Sequence, residues 1–232
     1  MGTLVTYGLE DNIATITMDD GKANVLSLAM LAEVNAALDQ VVAANAVVVL
    51  TGREGMFSAG FDLTVLRAGG DDSAAMVHGG FELAVRLLSF PTPVLIVCTG
   101  HAIAMGVFLL LAGDYRVGAD GPYKIIANEV AMGLTMPWAA IEICRQRLTP
   151  AHFHRVVSLS ELYTPERAVD AGILDRAVPP TELGDVARET AATLAALDMR
   201  AHAATKLRVR EQALAAIRVA IDVDDAAFRA LR

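Results

Sequence analysis

Apolar positions along the chain alternate between short β-type runs and longer helical repeats. Residues 4–9 and 13–18 are β-prone runs on either side of the sequence Glu-Asp-Asn at residues 10–12, which is typical of a hairpin turn. Ser27 then precedes a run in which apolar residues recur at helical spacing, namely at Leu28, Leu31, Val34, Leu38 and Val41. The chain therefore begins with a predicted β-hairpin and a predicted helix that Ser27 caps.

The middle of the chain contains two runs that are apolar at every position, residues 47–50 and 94–98. Such runs are typical of strands that are covered on both faces. A glycine-containing loop follows the first run, and a helix is predicted over residues 71–89, where Pro91 and Pro93 prevent its continuation. The further predicted elements are a buried helix over about residues 104–112 and short strands over residues 115–117 and 125–130.

The remaining residues predict mainly helices. The sequence Thr-Pro at residues 149–150 and 164–165 places a cap residue before a proline at the first helical position, and Gly172 is expected to end the second helix. Residues 174–178 are predicted to be extended, and the alanine-rich helical pattern beyond them has a break near residues 198–200. Strands and helices that alternate over the first 180 residues, followed by helices, predict an α/β fold.

Composition and charge narrow the class of protein. Apolar residues make up 54% and charged residues 20% of the 232 residues, which excludes general disorder. The mean hydropathy of +0.45 favours burial of apolar surface between subunits. The net charge is −8, and the sequence contains no block of lysine or arginine residues. Nucleic acids and anionic membranes are therefore poor candidates for partners.

Residues 93–113 form an apolar stretch about as long as a membrane span. Polar and small residues interrupt it and Asp114 ends it, so a buried strand, a turn and a buried helix is the preferred interpretation. Cys98 and Cys144 lie in apolar runs without a CxxC motif, which predicts buried, reduced thiols. The first residues do not have the pattern of a signal peptide. We therefore expect a cytoplasmic protein without a membrane segment.

Three segments are candidates for chemistry. Residues 57–63 (Phe-Ser-Ala-Gly-Phe-Asp-Leu) and 100–106 (Gly-His-Ala-Ile-Ala-Met-Gly) are small-residue turns, and each follows a predicted buried strand. Such turns expose backbone N–H groups, and two that converge would form an oxyanion hole. Glu129 lies in an apolar stretch, where desolvation would raise its pKa and suit it to proton transfer. Each feature alone also has an ordinary structural explanation, so their order along the chain is the stronger indication.

That order resembles the crotonase superfamily, also called the enoyl-CoA hydratase/isomerase family. The matching segments span about residues 3–210, and they are Lys22-Ala23-Asn24-Val25-Leu26, Ala59-Gly60-Phe61-Asp62-Leu63, residues 100–106 with Asp114, the Glu129 loop and residues 168–178. The resemblance implies a spiral of ββα units in residues 1–190 and a helical segment in residues 191–232 that covers the active site. It also implies an acyl-CoA substrate, no cofactor besides the coenzyme A of that substrate, and a homotrimer or dimer of trimers.

The resemblance also implies a role for individual residues. Phe61 and Met105 would donate their backbone N–H groups to the thioester oxygen, and Glu129 would be the acid/base. Contacts to the adenine and pantetheine parts of coenzyme A would fall on Ala23, Val25, Ala59, Asp62 and Leu63. Glycine is usual where this chain has Met105. A methionine there would be strained if the position requires a positive φ, but acceptable in the first turn of a helix.

Phe108 occupies the position where hydratases of this family carry the first of two glutamates. Loss of an acid/base group typically costs about 10²–10⁴-fold in rate, so hydration by the usual route is disfavoured. Glu129 alone suits Δ3,Δ2-enoyl-CoA isomerisation, in which it moves a proton from C2 to C4 while Phe108 keeps the site dry. Two alternatives stay open: Glu142 restores hydratase chemistry as a second carboxylate, or the protein binds acyl-CoA without turnover.

Several other polar residues have two interpretations each. His101 either lines the site or is a hydrogen-bonded structural residue. Lys206, Arg208 and Arg210 either meet the phosphates of coenzyme A or belong to a solvated helical face, and Lys22 is a further candidate for those phosphates. No metal site is predicted, because the spacing of the histidines does not suit one.

Overall fold

The computed structural model describes residues 3–230, with side chains to residue 228. The predicted hairpin is confirmed: β1 (Val5–Glu10) and β2 (Ile13–Met18) pair in antiparallel fashion. Both turn residues, Asp11 and Asn12, have positive φ angles, which suit the twist of a tight hairpin. Helix α1 (Leu28–Ala44) follows, and the Ser27 hydroxyl accepts a hydrogen bond from the Met30 N–H as the sequence predicts.

After α1 the chain alternates between two sheets. The strands are β3 (Val47–Thr51), β4 (Gly55–Ser58), β5 (Val94–Cys98), β6 (Gly100–Ile103), β7 (Tyr115–Ala119), β8 (Ile125–Ile126) and β9 (Arg176–Val178). One sheet has the order β1-β2-β3-β5-β7-β9 and the other has the order β4-β6-β8, and all pairs except β1–β2 are parallel. Successive strands therefore enter the large and the small sheet in turn, which confirms the predicted α/β spiral.

The helices complete each turn of the spiral. They are α2 (Leu63–Ala68), α3 (Gly70–Leu88), α4 (Met105–Ala112), α5 (Trp138–Arg145), α6 (Pro150–Val157), α7 (Pro165–Ala171), α8 (Leu183–Ala195) and α9 (Met199–Ala230). Helices α6 and α7 begin at the predicted prolines, and Gly172 ends α7 with a φ of 81°. The expected division after residue 190 falls inside α8 and remains a prediction.

The structure differs from the sequence-based prediction in its shortest elements. Strands β4 and β6 lie in segments expected to be turns, because runs of only four residues carry no readable period. The six-residue helix α2 had no predicted bounds. The strand predicted over residues 125–130 is wrong beyond Ile126. Glu129 adopts helical angles there, and a 3₁₀ turn spans Val130–Met132.

Both faces of the large sheet are covered, which explains why its central strands are apolar throughout. Helices α1, α3 and α4 pack on one face and form the main core. Helix α8 packs on the other face, where Val186 and Ala191 contact side chains such as Leu95 and Val117. In the described part of the chain, no helix is long and apolar enough to cross a membrane.

Helix α9 lies against α3 and α5 and is fixed by charged groups. The Lys206 Nζ lies 2.7 Å and the Arg210 guanidinium 2.9 Å from the Asp114 carboxylate, and burial lowers the pKa of Lys206 to about 8. Both basic side chains are buried, so the interpretation of a solvated face is wrong for them. Lys206 donates to Asp114, and Arg210 also donates to the Leu88 carbonyl at 2.9 Å, whereas Arg208 and Lys22 are exposed.

The far end of α9 is held by another carboxylate. Asp224 accepts hydrogen bonds from the backbone N–H groups of Trp138 and Ala139, at 3.0 and 2.9 Å. These groups open helix α5, whose preceding residue Pro137 makes no side-chain cap. Asp224 therefore supplies the N-terminal cap of α5 from a distant part of the chain.

Candidate active site

The segment of residues 20–26 is a loop fixed by two side chains. Asn24 has a φ of 49°, and its buried amide nitrogen donates to the carbonyls of Met18, Met56 and Phe57 at 2.8–3.2 Å. The Asp20 carboxylate accepts from three backbone N–H groups of the loop. Partial burial opposes ionisation of Asp20, but these bonds hold its pKa below the ordinary value. The predicted contact residues Ala23 and Val25 therefore lie on a rigid support.

The first small-residue turn is bonded directly to this loop. The Ala59 N–H donates to the Ala23 carbonyl at 2.9 Å, and the Ser58 hydroxyl donates to the Asn24 carbonyl at 2.8 Å. Gly60 has a φ of 85°, a conformation that favours glycine. The Phe61 N–H that follows has no acceptor among residues 3–230. This turn therefore presents one free backbone donor next to the predicted binding loop.

The end of this turn is a helix start. The Asp62 carboxylate accepts from the Thr64 N–H at 2.8 Å and so caps α2, of which Leu63 is the first, exposed residue. The carboxylate of Asp62 thus already has a structural role, and its predicted contact with a ligand stays a prediction.

The second turn joins β6 to α4 and decides between the two expectations for Met105. Met105 is the first residue of α4 and does not have a positive φ, so the strain expected of a positive φ does not arise there. The strain lies one residue earlier, because Ala104 has a φ of 51° and a ψ of −121°. The Met105 N–H also has no acceptor within the described part of the chain. The N-terminus of a helix is favourable for a negative charge.

The two turns touch each other at glycines. A Cβ atom on Gly60 would lie 2.9 Å from the Ile103 carbonyl oxygen and 3.2 Å from the Met105 nitrogen. A Cβ atom on Gly106 would lie 2.6 Å from the Ser58 carbonyl oxygen. Only glycine permits these approaches, and they bring together the two turns that carry the free N–H groups.

Glu129, the predicted acid/base, directly precedes the 3₁₀ turn. Its side chain is largely withdrawn from water, and the Oε2 atom is buried with no hydrogen-bond partner among the described residues. Burial raises the pKa of Glu129 to about 7. Together with burial, the nearby Glu129 charge raises the pKa of the Cys144 thiol on α5. A carboxyl group with such a pKa can both take and give a proton near neutral pH.

Phe108 lies in a row of aromatic rings beside the first turn. Its buried ring stacks on Phe81 with centroids 6.4 Å apart, and Phe81 meets the Phe61 ring edge to face at 6.3 Å. No charged or water-binding group is therefore present at the position of Phe108. The row instead makes this side of the site apolar.

The other sequence candidates have structural partners. The His101 Nδ1 accepts a hydrogen bond from the Lys124 N–H at 2.8 Å, as expected of a structural histidine. Glu142 pairs with Arg145 on the surface of α5 at 3.1 Å. Among residues 3–230, no group of histidine, cysteine and acidic side chains is arranged to hold a metal ion.

Comparison with known proteins tests the resemblance. A family model described as enoyl-CoA hydratase/isomerase matches residues 8–231. The chain belongs to the enoyl-CoA hydratase/isomerase family. The human mitochondrial enoyl-CoA delta isomerase 1 is 28% identical over 207 residues, which is 86% of this chain and 68% of that protein. A probable enoyl-CoA hydratase of Bacillus subtilis is 26% identical over 174 residues, which is 73% of this chain and 67% of that protein.

Solved structures of the enoyl-CoA hydratase/isomerase family agree in fold. An enoyl-CoA isomerase of Mycobacterium tuberculosis superposes with a TM-score of 0.93 at 47% identity, covering 97% of this chain and 99% of that one. Another structure of the same M. tuberculosis protein is described as a probable enoyl-CoA hydratase, with a TM-score of 0.94 at 48% identity. Both names occur for one protein, so family membership fixes the enzyme class and leaves the reaction open.

The structure adds positioning residues that the family motifs did not indicate. The Ser160 hydroxyl accepts a hydrogen bond from the Ala131 N–H at 3.2 Å and so holds the turn after Glu129. Ala104 sets the start of α4, and nothing in the sequence distinguishes it from other alanines. Two adjacent glycines, at positions 79 and 80, lie inside a predicted helix. Glycine is unfavourable in a helix interior, so their presence indicates a packing or functional constraint at this place.

Proposed function

We propose that this protein is an acyl-CoA-transforming enzyme with Δ3,Δ2-enoyl-CoA isomerase chemistry. The observation that supports this proposal most directly is Glu129, whose Oε2 atom is buried without a hydrogen-bond partner among the described residues and whose pKa burial raises to about 7. Phe108 stands where a second carboxylate would be needed for hydration. Membership of the enoyl-CoA hydratase/isomerase family supports a CoA thioester as the substrate.

In the proposed reaction the thioester oxygen accepts hydrogen bonds from the N–H groups of Phe61 and Met105. These donors, with the N-terminus of α4, stabilise the negative charge that develops on that oxygen. Ionised Glu129 takes a proton from C2 of the 3-enoyl thioester, which gives a dienolate. The protonated Glu129 then returns that proton to C4, and the double bond moves from C3–C4 to C2–C3.

The apolar side of the site favours this proton transfer over addition of water. The buried Phe108 ring offers nothing to orient a water molecule, and exclusion of water protects the dienolate. Contacts to coenzyme A are assigned to Ala23, Val25, Ala59, Asp62 and Leu63, and no further cofactor is required. The hydrogen bond between Ala59 and Ala23 supports this assignment, because it places both segments side by side.

The second candidate function is enoyl-CoA hydratase, which the name of the B. subtilis relative favours. Purified protein should be assayed with 3-hexenoyl-CoA for isomerisation and with crotonyl-CoA for hydration. The proposal expects isomerisation to be the faster reaction by at least about 10²-fold, the size of one missing acid/base group. Faster hydration would overturn it, and tight acyl-CoA binding without turnover would identify a non-catalytic binder.

We further propose a homotrimer or dimer of trimers in which residues 191–232 cover the site. Helix α9 lies on α3 and α5, which border the aromatic row and the Glu129 loop. Its surface carries apolar residues exposed by 46–78%, namely Leu207, Val209, Val219 and Val223. Analytical ultracentrifugation should give a mass of three or six chains, and a monomer at micromolar concentration would contradict this assembly.

A further inference from the structure

Helix α3 carries two adjacent glycines, Gly79 and Gly80, near its middle. Glycine weakens a helix interior, so two of them require an explanation from packing. A Cβ atom on Gly79 would lie 3.4 Å from Leu31 Cδ1, which is an ordinary contact. A Cβ atom on Gly80 would lie 2.4 and 2.5 Å from Cε1 and Cζ of Phe61, which no structure tolerates without movement. The two glycines thus differ sharply in the space that is available for a side chain.

Gly80 also lies next to the second donor residue. Its Cβ position would be 3.7 Å from the Cε of Met105, so one buried position on α3 faces the side chains of both Phe61 and Met105. Phe81 limits the Phe61 ring with an edge-to-face contact at 6.3 Å. The ring of Phe61 is therefore seated in a notch that exists because residue 80 has no side chain.

The turn that carries Phe61 has little freedom to absorb a shift of this ring. The turn packs so closely on residues 103–105 that Gly60 has no room for a Cβ atom, which would lie 2.9 Å from the Ile103 carbonyl oxygen. The carbonyl of Gly60 is also bonded to the Leu26 N–H at 2.8 Å. Because Phe81 limits the ring on one side, we expect a push from residue 80 to act on the Phe61 backbone as well as on the ring.

We infer that Gly80 is a positioning residue for the oxyanion hole: it seats the Phe61 ring and thereby fixes the direction of the Phe61 N–H. This inference rests on the proposed function, because it assumes that the thioester oxygen binds at that N–H. Gly80 touches neither substrate nor reacting atoms. Its effect is exerted through Phe61.

The test compares Gly80→Ala with Gly79→Ala, which adds the same methyl group to the same helix one residue earlier. We expect Gly80→Ala to lower kcat for 3-hexenoyl-CoA by at least about tenfold. This is less than the roughly 10²–10³-fold loss that follows removal of a whole oxyanion donor, because the Phe61 N–H is misdirected and not removed. Gly79→Ala should keep kcat within about twofold of wild type. Circular dichroism and the unfolding temperature establish that the variants are compared as folded proteins.

A spectroscopic readout separates positioning from general damage. Butanoyl-CoA labelled with ¹³C at the carbonyl cannot be isomerised, and hydrogen bonds from an oxyanion hole lower the frequency of its C=O band. We expect this band to shift on binding to wild type and to Gly79→Ala, and to shift less on binding to Gly80→Ala. Equal shifts and equal kcat values for the two alanine variants would overturn the inference.

A double variant gives an independent test of the contact between residue 80 and the Phe61 ring. Phe61→Leu removes Cε1 and Cζ, the atoms that a methyl at residue 80 would strike. Adding Gly80→Ala to Phe61→Leu should then cost less than about twofold, and a full loss in that background contradicts the seating contact. If Gly80→Ala does not fold, Phe61→Leu alone should show a smaller band shift than wild type, and an unchanged shift counts against the inference. Wild type that does not shift the band refutes the proposed function instead.

Discussion

Two acidic side chains in this protein have opposite surroundings. Glu129 is withdrawn from water with a free oxygen, and burial raises its pKa to about 7. Asp175 also loses solvent, but the buried guanidinium of Arg116 lies 2.7 Å away and Arg147 3.1 Å away, and they hold the pKa of Asp175 below its ordinary value. The same functional group is thus prepared for proton transfer in one region and for structural support in the other.

The difference lies in what each region does with its hydrogen bonds. Around Asp175, Arg116 also donates to the Gly172 carbonyl at 2.9 Å, so the donors and acceptors satisfy one another. Glu129 instead keeps a buried carboxylate oxygen without a hydrogen-bond partner among the described residues. The backbone N–H groups of Phe61 and Met105 likewise have no acceptor among residues 3–230. Unsatisfied groups are costly in a fold, and a bound ligand is one way to satisfy them.

The largest effect should come from Glu129→Gln, which keeps the shape of the side chain and removes the proton carrier. We expect kcat for 3-hexenoyl-CoA to fall by about 10²–10⁴-fold. Glu142→Gln is the matched control, because Glu142 is paired with Arg145 at the surface, and it should retain activity within about twofold. Full activity of Glu129→Gln would remove the proposed base, and a large loss in Glu142→Gln would identify a second carboxylate.

The counterpart in the other region is Arg116→Met, which should affect stability and not chemistry. It removes a cation that is only 1% exposed and leaves Asp175 with the Arg147 guanidinium and the backbone N–H of residue 116. Breaking a buried pair in this way costs about 3 kcal/mol in the free energy of unfolding, which urea denaturation measures. Arg188→Met, which breaks an exposed pair with Asp185, should be indistinguishable from wild type in the same experiment. A loss of kcat without a loss of stability in Arg116→Met would contradict the comparison.

The pH dependence should show the two carboxylates with opposite signs. The pKa of Glu129 in the folded state lies above its ordinary value, so between about pH 4.5 and 7 the folded state binds more protons than the unfolded state. Glu129 therefore lowers the free energy of unfolding as the pH rises through this range. Asp175 has a lowered folded pKa, so its stabilisation is present above about 3.8 and is lost as pH falls below that value.

Denaturation curves between pH 3 and 8 test this prediction. Glu129→Gln should flatten the dependence between about pH 4.5 and 7 and leave the acid limb unchanged. Activity of wild type should fall as pH decreases through about 7, because the proposed base is then protonated. An unchanged slope in the variant would show that Glu129 does not titrate in this range.

Helix ends are predicted from the sequence better than ion pairs between distant residues. Ser27 and Gly172 marked helix ends correctly, because a cap depends on residues close in sequence. Lys206 was expected at a phosphate or on a solvated face, whereas it pairs with Asp114, 92 residues away. No local pattern encodes such a pairing. Glu129 is predicted as the acid/base because its neighbours are apolar and because its place matches the family motifs, and this role stays a prediction.

The smallest predicted effect concerns backbone strain at the start of α4, next to the Met105 N–H. Ala104 combines a φ of 51° with a ψ of −121°, whereas Asn45 has a φ of 51° with a ψ of 36°, which asparagine tolerates well. Ala104→Gly should relieve the strain, partly offset by the greater freedom of glycine in the unfolded chain, and stabilise the protein by up to about 1 kcal/mol. Asn45→Gly should change stability by less. Urea denaturation measures both changes. A clear loss of stability in Ala104→Gly would mean that the alanine methyl holds the two turns together by packing. That methyl lies 3.0 Å from the position that a Cβ atom on Gly60 would take.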